Sequence, residues 1–238
     1  MANPLIMKFG YPVDLTEDDH AELERITTHA RPVGPRTDLA REGDRPEVVR
    51  LVMRGLACRY QRLSDGSRQI VSLMLPGDMC GLHIVILGEL DHSIATLSAC
   101  EIVEIPRTTI KRLTETNPRI TRALCWSSMV DQGILRNWLA SKGRRQADRQ
   151  LLHLLCELLV RFEAVGLAEG NSFPLPITQE EMADILGVST VHANRTLQWL
   201  RAEGLATFYG GRITILDRKR AWELASFDPN YLHLKRRS

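Results

Sequence analysis

Thr190, Val191, Asn194 and Arg195 carry side chains that could read the edges of base pairs. A guanidinium donates two parallel hydrogen bonds, which match the O6 and N7 acceptors of guanine. A carboxamide both donates and accepts, and an isopropyl group fits against a thymine methyl. Thr178, Gln179, Ser189, His192 and Arg212 offer donors of the kind that fix register on phosphate oxygens. Such chemistry needs a rigid face to present it, and the surrounding residues supply one.

Thr178 is placed to cap a helix whose first turn holds Glu180 and Glu181, acids that suit the positive end of the helix dipole. Met182, Ile185 and Leu186 make its apolar face, Ala183 is small where a second helix would cross, and Gly187 can take positive φ in the turn. Val188 plugs the corner. Ser189 caps a second helix, in which Ala193, Thr196, Leu197 and Leu200 recur at i, i+3, i+4 and i+7 and so face inward. Thr190, Val191, Asn194, Arg195, Gln198 and Arg201 are left outward. Glu203-Gly204-Leu205 stops the helix, and Gly210-Gly211 between Ala206 to Tyr209 and Ile213 to Leu216 predicts a tight hairpin. The pattern is a helix-turn-helix followed by a wing.

The run Ile177 to Ser189, continuing through Asn194-Arg195-Thr196-Leu197, resembles the DNA-binding domain of the Crp/Fnr family of bacterial transcription regulators. Gly77-Asp78, Gly81 and Cys100 to Pro106 resemble that family's effector domain, more closely its Fnr branch. The resemblance implies an α+β chain: a cyclic-nucleotide-binding-like β-roll over residues 1–116, a dimerisation helix over 117–142, a winged helix-turn-helix over 143–218 and a tail over 219–238. It also implies a homodimer on double-stranded DNA, with RNA polymerase as a further partner. Arg195 falls where family members meet a guanine. Thr190 and Val191 stand where relatives place Arg-Glu or Val-Glu, so the glutamate that would accept from cytosine is missing.

The chain has 238 residues, enough for two domains with cores of their own. Residues 143–238 hold 13 Lys or Arg against 11 Asp or Glu, and residues 1–142 hold 18 against 18, so the DNA reading rests on the motif and not on bulk basicity. Leu151 to Val160 is broken by His153 and Glu157, and no run reaches membrane-spanning length. The first residues lack a signal-peptide pattern, so a cytoplasmic protein is expected. The five cysteines, at 58, 80, 100, 125 and 156, are odd in number and scattered, which disfavours a disulfide framework and a C-x-x-C metal site. Without a P-loop, a G-x-S-x-G elbow or an H-E-x-x-H motif, an enzyme that merely carries a wing domain is disfavoured. A roll serving only as a platform for dimerisation and polymerase remains open beside a ligand-sensing roll.

Leu15 to His29 predicts a helix capped by Thr16. Short β-type runs follow at Val48 to Met53, Leu56 to Leu63, Ile70 to Leu75, Ser93 to Leu97 and Glu101 to Ile105, as in a double-sheet roll. From Asn117 to Lys142 the stripe Ala123, Trp126 or Ser127, Val130, Ile134 and Trp138 predicts a long helix. Trp126, Val130, Ile134 and Trp138 are its expected dimer seam. Gly143-Arg144-Arg145 reads as a hinge, and Arg218 to Ala225 as a short helix before the basic end Lys235-Arg236-Arg237-Ser238.

In the family's cyclic-nucleotide receptors a glycine is followed at once by a glutamate for the ribose hydroxyl, with an arginine and a serine for the phosphate about ten residues on. Here Gly81 is followed by Leu82, and His92 precedes Ser93, so the ribose acceptor and the fixed cation are both gone. Ile134 and Leu135 stand where such receptors offer hydroxyls to the purine. Cyclic AMP is therefore disfavoured. An iron-sulfur cluster is disfavoured as well, because residues 1–57 contain no cysteine. The expected effector pocket is Gly81, Leu82, His83, His92, Ser93, Ile134 and Leu135, and its ligand is left open. His83 lies where the family's haem sensors place an axial histidine, so haem is one alternative. A thiol switch at Cys80, Cys100 or Cys125 is another. No other metal site is expected.

Overall fold

The computed structural model describes residues 2–235, and the basic end at 236–238 lies outside the described residues. The chain divides into two compact units, one built from residues up to Gln61 and from Ser72 to Gln132, the other from Arg62–Val71 and Gly133–Leu232.

In the first unit α1 (Pro4–Phe9) and α2 (Glu17–Thr27) precede the roll. The Thr16 cap forms as expected: Asp19 N–H donates to Thr16 Oγ1 at 3.3 Å, and Thr16 N–H donates back to Asp19 Oδ2 at 2.9 Å. The strands are β1 (Ala30–Val33), β2 (Asp38–Ala40), β3 (Val48–Arg54), β4 (Ala57–Arg62), β5 (Arg68–Met74), β6 (Met79–Cys80), β7 (Ser93–Thr96) and β8 (Cys100–Pro106). They make two four-stranded sheets, ordered β1-β8-β3-β6 and β2-β7-β4-β5. The expected strands match within a few residues. The short β1, β2 and β6, α1, and the helices α3 (Ile84–Leu87) and α4 (Arg107–Thr116) were not legible in the sequence. Leu51, Val52, Met79, Ile84, Leu90, Ile94 and Ile102 belong to one buried cluster, and its burial is the main favourable term in folding.

Helix α5 (Pro118–Arg144) is the long helix, and it runs through Gly143. Val130, Ile134 and Trp138 are buried within their own chain and Trp126 is half-buried. The expected seam is therefore already covered before any partner arrives. At 100° per residue these side chains lie on the opposite side from Cys125, Met129, Leu135 and Leu139. That second face is exposed, Met129 by 66% and Leu139 by 73%.

The second unit is organised on α6 (Ala147–Ala164), whose leucines 151, 152, 155, 158 and 159 are fully buried. Around it lie β9 (Ser172–Pro174), α7 (Gln179–Leu186), α8 (Thr190–Ala202), β10 (Ala206–Tyr209), β11 (Arg212–Ile215) and α9 (Arg218–Ala225). The expected hairpin gains a third strand, giving the order β10-β11-β9. The short helix expected at Arg218 to Ala225 forms as α9, and α9 and the 3-10 turn Pro229–Leu232 pack on α6, with Phe227, Tyr231 and Leu232 buried. Among the described residues no helix is long and apolar enough to cross a membrane.

Candidate nucleic-acid interface

The turn between α7 and α8 is built as the residue types require. Glu181 N–H donates to Thr178 Oγ1 at 3.1 Å, and Thr178 N–H donates to Glu181 Oε2 at 2.7 Å. Gly187 closes α7 at φ 69°, ψ 39°, where a side chain would be strained, and its N–H reaches Ala183 O at 2.8 Å. Ser189 Oγ then accepts from His192 N–H at 3.3 Å to start α8. Each capping oxygen accepts from backbone, which leaves its O–H free to donate outward.

Ala193, Thr196, Leu197 and Leu200 are buried on the inner face of α8. Thr190, Val191, His192, Arg195 and Gln198 are exposed, Val191 by 69%, while Asn194 is half-buried. The expected base-reading residues thus share one open face, with Val191, Arg195 and Gln198 at its centre. Thr178, Gln179 and Ser189 are exposed beside it.

The wing turns through Gly210 at φ 56° and Gly211 at φ 72°, the pair of positive values a two-residue hairpin connection uses. Tyr209, 90% exposed at the tip, was missed by sequence reasoning, although an aromatic residue beside the double glycine was a usable signal. Arg201 lies over the Phe208 ring at 5.5 Å, tying the end of α8 to β10. Arg212 pairs with Glu169 at 3.2 Å and donates from Nε to Ser172 Oγ at 3.4 Å, so it would reach a phosphate only by leaving them. Arg195 has no such neighbour among the described residues.

The effector segment sits between β6 and β7. Gly81 turns at φ 76°, Leu82 and His83 are half-buried, and Ser93 is buried with its Oγ accepting from Glu42 N–H at 3.1 Å. His92 Nδ1 lies 2.6 Å from Asp91 Oδ1. Burial holds His92 below its usual pKa, against the pull of Asp91, so it is no standing cation for a phosphate. Ile134 is buried and Leu135 exposed.

The thiols are equally specific. Burial pushes Cys80 up to about 12, and Cys100 is also raised, so neither favours the reactive thiolate. Cys125 is exposed.

A β-roll joined by a long helix to a winged helix-turn-helix with an open polar face defines a DNA-binding regulator. Residues 149–220 match the Crp-like helix-turn-helix domain, and residues 30–117 match the cyclic nucleotide-binding domain. The chain belongs to the Crp/Fnr family of transcription regulators. It is 29% identical over 192 residues to the transcriptional activator protein FnrL of Cereibacter sphaeroides, covering 78% of this chain and 76% of FnrL. The nitrogen fixation regulation protein FixK of Bradyrhizobium diazoefficiens is 29% identical over 175 residues, 74% of this chain and 73% of FixK. The solved structure of FixK2 from Bradyrhizobium japonicum shares the fold at a TM-score of 0.71 and 22% identity, over 82% of this chain and 96% of that one. Regulators of this family bind DNA and act as dimers.

Proposed function

We propose that this protein controls transcription in the cytoplasm as a homodimer, setting α8 of each protomer into the major groove of a two-fold-symmetric operator, with RNA polymerase as its downstream partner. Residues 1–116 receive the signal, 117–142 pair the protomers, 143–218 read DNA, and 219–238 close the DNA-binding unit. The observation that carries the reading is the outward row Thr190, Val191, Asn194 and Arg195 on a helix whose opposite face is buried. Thr178, Gln179, Ser189, His192 and, once released from Glu169, Arg212 fix the register on phosphates. Two recognition helices require half-sites about one helical turn apart. Selection of binding sites from random DNA tests this. Selected sites should be inverted repeats, and Arg195→Ala should lose preference at one guanine per half-site, worth ~1–3 kcal/mol. Sites without an inverted repeat would defeat the reading.

The pairing surface that the geometry favours is the exposed face of α5 with Met129, Leu135 and Leu139, since an apolar strip left in water is costly. The effector is something other than cyclic AMP. Leu82 cannot accept from a ribose hydroxyl, His92 is no standing cation, and the exposed carboxylate of Asp91 repels a phosphate. Calorimetry should show no binding of cyclic AMP at micromolar concentration. Haem at His83 fits less well, because its Nε2 is closed off by its own chain, 3.7 Å from Asp91 Oδ1.

A further inference from the structure

We infer that His83, Asp91 and His92 form a binding site for a divalent transition cation of the zinc, cobalt or nickel type, clamped between the end of β6 and the start of β7. The loop that carries them is fixed at both ends. Ile84 and Leu90 are buried, Leu90 N–H donates to Asp44 O at 3.0 Å, and Gly43 N–H donates to Leu90 O at 2.8 Å. Gly88, left-handed at φ 82°, turns the chain back after α3. Residues eight and nine positions apart in sequence are thereby brought face to face.

One ligating atom from each residue lies within 4.8 Å of the others. His83 Nε2 and Asp91 Oδ1 are 3.7 Å apart, close to the roughly 3.4 Å expected of two ligands each about 2.1 Å from a tetrahedral cation. The imidazole rings are 5.3 Å apart between centroids. Nε2 of His83 and Nε2 of His92 are both buried, and neither has a hydrogen-bond partner. A buried polar atom left unpaired costs about 1–3 kcal/mol, and a cation at this point would remove that cost. Burial keeps both imidazoles below their usual pKa, so each offers a lone pair at neutral pH. Asp91 is 83% exposed and can swing from its 2.6 Å contact with His92 Nδ1 onto the ion.

Arg59 is a nearby cation whose charge disfavours protonation of both histidines and would also oppose a metal. It is neutralised by Asp131 at 3.0 Å. Two nitrogens and one carboxylate suit zinc, cobalt or nickel better than calcium or magnesium, which take oxygen ligands. Because β6 and β7 belong to different sheets, the ion would cross-link the two sheets of the roll.

The test uses the full chain without a polyhistidine tag and with Cys125→Ser, which removes the exposed thiol as a competing ligand. After treatment with chelator the protein is titrated with Co²⁺. One ion per chain is expected, with visible absorption of a low-coordinate site and a higher melting temperature. His83→Gln, His92→Gln and Asp91→Asn should each weaken binding at least about tenfold. Asp91 is on the surface, so its variant keeps the test valid if a histidine variant fails to fold. Absence of stoichiometric Co²⁺ uptake, or unchanged affinity in the folded variants, overturns the assignment. Operator binding measured in chelator reports on the DNA reading separately.

Discussion

Tyr231 Oη donates to Glu157 Oε2 at 2.9 Å, joining the 3-10 turn near the end of the chain to the centre of α6. The carboxylate is fully buried. It also accepts from Trp138 Nε1 at 3.3 Å and from Arg161 Nη1 at 3.1 Å, so α5, α6 and the turn share one polar centre. Burial pushes Glu157 above the usual carboxylate range, against the pull of Arg161. Tyr231→Phe removes one hydrogen bond to a charged group and should cost about 1.5–3 kcal/mol. Arg161→Ala strands the buried carboxylate and should cost about 3–5 kcal/mol. Urea unfolding followed by tryptophan fluorescence measures both, since Trp138, Trp199 and Trp222 lie in this unit. Equal costs would mean that the ion pair is no more than another hydrogen bond.

His153 predicts the behaviour of the same unit in acid. It is buried, stacked on Tyr231 with centroids 6.3 Å apart and edge-on to Phe227 at 5.1 Å, and burial lowers its pKa from 6.5 to about 4. A depressed folded-state pKa means that the unfolded chain takes up the proton first. The contribution to stability is complete above pH 6.5 and is lost as pH falls towards 4. The loss should reach about 3 kcal/mol at one pKa unit per about 1.4 kcal/mol. His153→Phe should flatten the stability profile across that window. If urea midpoints of parent and variant fall in parallel between pH 6.5 and 4, His153 is not the responsible group.

The helix-turn-helix was legible almost residue by residue because its signals are local. Thr178 and Ser189 cap, Gly187 turns, and the inward periodicity fixes the outward face. The roll was legible only where a strand was long enough to show its pattern, so two-residue β6 and three-residue β2 were lost. The metal-type cluster was half visible. His83 and His92 were singled out, but Asp91 joins them only through the turn at Gly88 and the anchoring of Leu90. Helix α5 shows a different limit. Two apolar faces share one helix, and periodicity identified the stronger one without telling whether it packs inside the chain or against a second copy.

That division on α5 separates two pairs of variants. Met129→Glu with Leu139→Glu changes exposed positions and should give a folded monomer at micromolar concentration, read by sedimentation. Val130→Glu with Ile134→Glu buries two unpaired carboxylates, and should unfold the chain instead of merely dissociating it. A dimer that survives the first pair, or a folded monomer produced by the second, would return the seam to the inner face.

Val191 stands where the resemblance to the family would place a glutamate, and it is a sharp test of which bases α8 meets. The side chain is 69% exposed, one turn before Arg195 on the same face. An isopropyl group can contact a thymine methyl but cannot accept a hydrogen bond, whereas a glutamate there can accept from cytosine N4. Val191→Glu should therefore move the preference at one base pair in each half-site towards cytosine by about 1–3 kcal/mol, and leave the guanine read by Arg195 unchanged. Helix stability gives no reason for a confounding loss, because a glutamate near the N-terminus of α8 suits the helix dipole. Site selection with parent, Val191→Glu and Arg195→Ala in parallel reads both base pairs at once. If Val191→Glu lowers affinity equally for every sequence, Val191 faces the sugar-phosphate backbone and α8 enters the groove at a different angle.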